Sequence, residues 1–134
     1  MIIEITIEGK PIAKKRPRFV RRGKFVSAYN EQETEEGRWL WEALPQVGNK
    51  KFEGPVKMEC DFIMPIPKST SIKKRVAMIT GKTSHTKKPD LDNCLKFVKD
   101  CLNGHAWIDD AQVVEVTAKK YYGTDPMTVI KIYG

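Results

Sequence analysis

Histidine and cysteine are scarce in this chain, at 2 and 3 of 134 residues. A zinc site of thiolates and imidazoles therefore has few donors to draw on. Cys94 and Cys101 lie two turns apart on one stripe of an expected helix, too distant to bridge, so the thiols are expected to be reduced and buried. No apolar run approaches the length of a membrane span, and the N-terminus lacks the apolar stretch of a secretory signal, which directs the expectation to the cytoplasm. Acidic residues are missing from two windows. Residues 10–24 hold eight Lys or Arg, and residues 68–88 hold seven. Together these account for fifteen of the 24 basic residues, so nine remain against all 17 acids, and the net charge of +7 hides a local separation of sign. Neither window has the apolar face of a membrane-surface helix. Nucleic-acid phosphate is the polyanion that fits both.

What is present reads as one domain over residues 1–134, of ordinary 40% apolar content and without repeats. Ile3, Ile5 and Ile7 alternate with Glu4, Thr6 and Glu8 in a half-buried first strand. Phe19-Val20, the turn-like Arg21-Arg22-Gly23-Lys24 and Phe25-Val26 suggest a small basic hairpin. Asn30 is expected to cap a helix running to about Leu44, with Trp39, Leu40, Ala43 and Leu44 inward and both Trp39 and Trp41 used in packing. Val56, Met58, Cys60, Phe62 and Met64 alternate without a break, so that strand belongs in a core. Ser69 or Ser71 opens a short helix to about Ile79, Lys82–Lys88 reads as a mobile loop, and strands from Gln112 to about Lys119 and over 128–132 are expected to form an antiparallel hairpin. The sum is an α+β domain of two layers, with a mixed sheet of about four strands and about three helices on one side.

The chemistry concentrates between Lys87 and Gln112. Leu91, Cys94, Leu95, Val98, Cys101 and Leu102 recur at the spacing of one apolar helix stripe about three turns long, and Asn103-Gly104 ends it. The opposite face carries Asp92, Lys96 and Asp100, with Asp90 at the helix start, and the chain then turns back through Asp109-Asp110. Two carboxylates about 5 Å apart repel by roughly 3 kcal/mol at an effective dielectric near 20, a conflict that a hard divalent cation resolves. The same residues have plain structural uses. Asp90 could cap the helix, Asp92 and Lys96 could be an exposed i, i+4 pair, and Asp109-Asp110 could be a turn.

The segment PDLDNCLKFVKDCLNG followed by WIDDAQVVEV resembles the signature of the RusA family of Holliday-junction resolvases, an Asp-x-Asp-Asn opening, a Lys one helix turn on, and an Asp-Asp-x-Gln-Val motif. The likeness is strong over residues 84–118, visible at 9–24 and 61–75, and faint over 25–60. It implies a RusA-like, homodimeric endonuclease that places paired nicks in four-way branched DNA, leaving 5′-phosphate and 3′-hydroxyl ends. It also implies catalytic Asp90, Asp92, Lys96 and Asp110, with Mg²⁺ held by Asp90, Asp92 and Asp110, and Mn²⁺ able to substitute. A symmetric junction asks for two cuts related by a twofold axis, which suits a C₂ dimer. Lys14, Lys15, Arg16, Arg18, Arg21, Arg22, Lys73, Lys74, Arg75, Lys87 and Lys88 are the candidate phosphate contacts. His85 and His105 are given no role. Two alternatives stand beside this: a structure-selective DNA-binding protein without catalysis, and a nuclease for other branched DNA. A restriction-type site needs an acid-x-Lys pair on the next strand, and Glu115 and Lys119 are wrongly spaced for it.

Overall fold

Strands form where apolar and polar residues alternate, and the alternation decides which face of each strand meets the helices. The computed structural model describes residues 1–15, 18–22, 25–29 and 32–134, with side chains for 1–15 and 32–134. β1 (Ile2–Glu8) buries Ile3, Ile5 and Ile7, and β4 (Val56–Pro65) buries Val56, Met58, Cys60, Phe62 and Met64. β2 (Arg18–Arg22) and β3 (Phe25–Tyr29) pair antiparallel as the expected basic hairpin, apart from the main sheet; the tip at 23–24 lies outside the described residues.

The main sheet has four strands in the order β1-β6-β4-β5, where β5 is Val113–Gly123 and β6 is Met127–Tyr133. β6 is antiparallel to β1 and β4, while β4 and β5 are parallel, so the sheet is mixed. The hairpin expected between β5 and β6 is therefore corrected, because β4 stands between them. Burial explains the exchange. β6 carries Ile130 and Ile132, both fully buried, and takes a central place, whereas β5 is largely exposed, with Lys119 among its residues, and suits an edge.

α1 (Glu33–Val47) and α3 (Leu91–Leu102) cover one face of the sheet, with Trp39 edge-on to Phe97 at a centroid separation of 5.9 Å. α1 continues through Pro45 because Val47 is buried, so the expected end at Leu44 falls short. Its expected cap, Asn30, lies outside the described residues. Trp39 packs inward as expected, but Trp41 is 82% exposed and packs in no core. α2 (Ile72–Ile79) starts at Ser71, whose hydroxyl accepts from Lys74 N, and buries none of its residues. The opposite face of the sheet is polar, with Tyr121 donating to Asp61 and Tyr133 to Glu59.

All three cysteines are free and buried. Burial pushes the thiols of Cys60 and Cys101 up to about 12 and that of Cys94 up to about 11. No helix among the described residues is long and apolar enough to cross a membrane.

Ile130→Ala, at the centre of the sheet, should lower stability by about 2–5 kcal/mol in urea unfolding. A change near zero would contradict the central placement of β6.

Candidate active site

The buried stripe of α3, Cys94, Phe97, Val98, Cys101 and Leu102, turns Asp92, Lys96 and Asp100 outward on the helix face away from the core. Asp90 occupies the N-cap position in extended conformation (φ −70°, ψ 143°), yet its carboxylate makes no capping hydrogen bond. Asp92 forms no ion pair with Lys96 among the described residues, although both are well placed on one helix face. Two structural uses open to these acids are thus not taken.

Asp110 returns to α3 through a turn that is held rigidly. Trp107, fully buried, donates from Nε1 to Asp110 Oδ1 at 2.8 Å. Gln112 clamps the same turn: its Oε1 accepts from the backbone N–H of Ile108 and Asp109, and its Nε2 donates to the carbonyls of Phe52 and Gly54, all within 2.9 Å. The result is a hollow of about 350 Å³ lined by Asp92, Leu95, Lys96, Lys99, Asp100 and Asp110. Of the four residues expected to be catalytic, three line this hollow: Asp92, Lys96 and Asp110.

Asp90 opens on a second hollow of about 690 Å³, whose polar lining includes Lys10, Lys14, Lys15, Glu35, Lys88 and Asn93. Both acid-free windows of the sequence meet there. Lys14 does not serve as a free cation: its amine lies 2.7 Å from Glu36 and 3.4 Å from Asp100, and its N–H donates to Asn93 O. Burial alone would lower the Lys14 pKa, but the hydrogen bond and charge of Glu36, with Asp100, hold it above the ordinary lysine value. Lys14 is a strut between α1 and α3.

The sequence matches the family Endodeoxyribonuclease RusA over residues 8–133. The chain belongs to the RusA family. It is also similar to a protein of Bacillus subtilis (strain 168) described as "Uncharacterized protein YqaN", at 33% identity over 97% of this chain and 94% of that protein. RusA membership supports an endonuclease of the Holliday-junction-resolvase type, acting on branched DNA.

For a RusA enzyme the metal is the first question the site must answer. The accessible donors are carboxylate oxygens, which suit Mg²⁺, and Mg²⁺ needs just one or two of them because it keeps several waters. Asp92 and Asp110 meet that demand in kind. Among the described residues no three acidic, His or Cys side chains are grouped for a metal, and the three expected ligands divide between the two hollows, Asp92 and Asp110 lining one and Asp90 the other. Asp110 is tethered by the Trp107 indole, and Asp90 faces the Lys10–Lys15 segment.

The remaining basic candidates separate. Lys15 and Lys88 line the hollow at Asp90, and Lys87 lies close by. Lys73 and Lys74 are exposed on α2 and line neither hollow, while Arg75 reaches the carbonyl of Pro67 at 3.4 Å. Arg16 lies outside the described residues, and Arg18, Arg21 and Arg22 fall in β2, of which the backbone alone is described.

The segment 82–88, expected to be mobile, is anchored instead. Thr83 N donates to Ala77 O at 3.0 Å, His85 is buried edge-on to Tyr122, and Lys120 Nζ donates to the carbonyls of Lys87 at 2.8 Å and Pro89 at 3.0 Å. Lys120 thereby fixes the backbone immediately before Asp90. Sequence reasoning missed both Lys120 and Gln112. A lysine in register with the inward residues Ala118 and Tyr122 was the available signal, since a cation on the core side of a strand needs acceptors.

Lys120→Met should reduce cleavage of branched DNA by about 10- to 100-fold while changing junction affinity far less, because misplacing Asp90 by a fraction of an ångström impairs chemistry more than binding. Equal losses in both would assign Lys120 to DNA contact.

Burial first, then the charge of Lys120, lower the His85 pKa below 6.5; a hydrogen bond to its own backbone opposes them, and the more modest charges of Lys10 and Lys87 add to the lowering. The unfolded chain therefore takes up a proton that the folded chain refuses. Stability is complete above 6.5 and falls as pH drops towards the folded value. Melting temperatures between about pH 8 and about pH 5 should fall more steeply for the wild type than for His85→Gln.

Proposed function

We propose that this protein cuts four-way DNA junctions by paired, metal-dependent nicks, as a homodimer, leaving 5′-phosphate and 3′-hydroxyl ends in DNA recombination and repair. The observation that carries the reading is the shared hollow of Asp92, Lys96 and Asp110, flanked at Asp90 by lysines from both basic windows. Asp90, Asp92 and Asp110 would hold Mg²⁺ or Mn²⁺. A cation so held supplies a lowered pKa for the attacking water and Lewis-acid polarisation of the phosphate. Lys96 offsets negative charge that grows on the phosphate oxygens in the transition state. Trp107 keeps Asp110 pointed at the hollow, and Lys15 and Lys88 position the strand without reading its sequence. Ile108, Val114 and Val116, exposed beside the open edge of β5, offer apolar surface to a second copy.

Asp90→Asn, Asp92→Asn and Asp110→Asn should each bind a four-way junction in chelator as the wild type does and lose nicking in Mg²⁺. Lys96→Ala should lower the rate by about 10²–10³, the usual cost of removing one transition-state donor. Chelator should abolish cutting and added Mg²⁺ restore it. Near-normal nicking by Asp92→Asn or Asp110→Asn would refute their roles, and a stable monomer in sedimentation, with and without junction, would remove the dimer.

A further inference from the structure

Behind the Asp90 hollow lies a smaller one, of about 210 Å³, that the proposed chemistry leaves unused. Lys10, Lys87 and Lys88 line it together with His85, Tyr122 and Pro67, and among the described residues no carboxylate does. Three cations without a counter-charge around one concavity describe a receptor for an anion. His85 is 9% exposed, and its Nδ1 is buried without a hydrogen-bond partner. A shielded Nδ1 cannot reach a ligand, so the ring nitrogen that can donate to one is Nε2. Nε2 is the ring nitrogen that retains contact with solvent, and Tyr122, edge-on at 4.9 Å, fixes the ring plane.

We propose that Lys10, Lys87, Lys88 and the His85 Nε2–H form a subsite for one phosphodiester group of the DNA strand, next to the phosphate being cut. Lys10 and Lys88 line both this hollow and the one at Asp90, so a strand seated here continues to the acidic helix start. The lysines supply charge, and the neutral imidazole supplies one directed donor that a solvated lysine cannot. Lys120 ties the carbonyls of Lys87 and Pro89, which keeps the subsite in fixed register with Asp90. This inference takes its ligand from the junction-cutting reading above.

The test replaces single phosphates near the cut by uncharged methylphosphonates and measures junction binding in chelator. One position should weaken wild-type binding by at least about tenfold, the scale of a hydrogen bond to a charged group. In His85→Phe the same substitution should cost several-fold less, the remainder being the charge of the lysines, and His85→Gln, which keeps a donor, should recover part of the sensitivity. Lys10→Ala, at an exposed residue whose loss leaves the core intact, should flatten the slope of log affinity against log salt by about 0.9. An unchanged methylphosphonate profile in His85→Phe, or an unchanged slope in Lys10→Ala, overturns the subsite. Inorganic phosphate that shifts the His85 ring signals in NMR as strongly as an oligonucleotide does would assign the hollow to a free phosphate ligand and overturn the strand assignment. Wild-type protein that shows the expected position dependence but cuts no branched DNA refutes the nuclease reading and leaves the subsite standing.

Discussion

The parallel pairing of β4 with β5 is the constraint from which the rest follows. Parallel neighbours cannot be joined by a tight turn, so the chain between Pro65 and Val113 must leave the sheet, cross its face and come back. That excursion contains α2, the Lys82–Lys88 segment, α3 and the Asp109-Asp110 turn, which is nearly every residue with candidate chemistry. Because β4 is buried along its whole inward face, its register is firmly specified, and the ends of the excursion inherit that precision.

Within the crossover, neutral or cationic groups do the fastening. The Trp107 indole holds one oxygen of Asp110, the Gln112 amide saturates four backbone groups around the turn, and Lys120 gathers two carbonyls before Asp90. Lys14 joins Glu36 to Asp100 and so removes Asp100 from the set of unpaired carboxylates on α3. Fixed backbone, with Asp90 and Asp92 unengaged among the described residues, is the arrangement a hydrolytic site needs, since groups already committed to structure are poor partners for a substrate.

The periodic elements were legible in the sequence. Unbroken alternation in β1 and β4 and the stripe of α3 follow from local geometry, and the hollow shared by Asp92, Lys96 and Asp110 follows from the helix face plus a short return. Strand order was not legible. β5 and β6 are neighbours in sequence with a turn between them, and their separation depends on which strand buries more, a comparison between distant segments. The Lys82–Lys88 segment read as loose because it lacks periodicity, yet its anchors are single long-range contacts made by His85 and Lys120, which no local pattern encodes. Lys14 looked like one more cation in a basic run, and its partners lie on two helices brought together by tertiary packing.

The buried cysteines carry a practical consequence. Cys60 lies in the middle of the sheet, while Cys94 and Cys101 occupy the two halves of α3, and each thiol is both shielded and held in its unreactive protonated form at neutral pH. An alkylating reagent can then reach them when the layers part, so the rate of labelling at each cysteine clocks a different opening event. The molecule thus contains natural reporters of whether α3 lifts away from the sheet on its own or the whole domain comes apart at once.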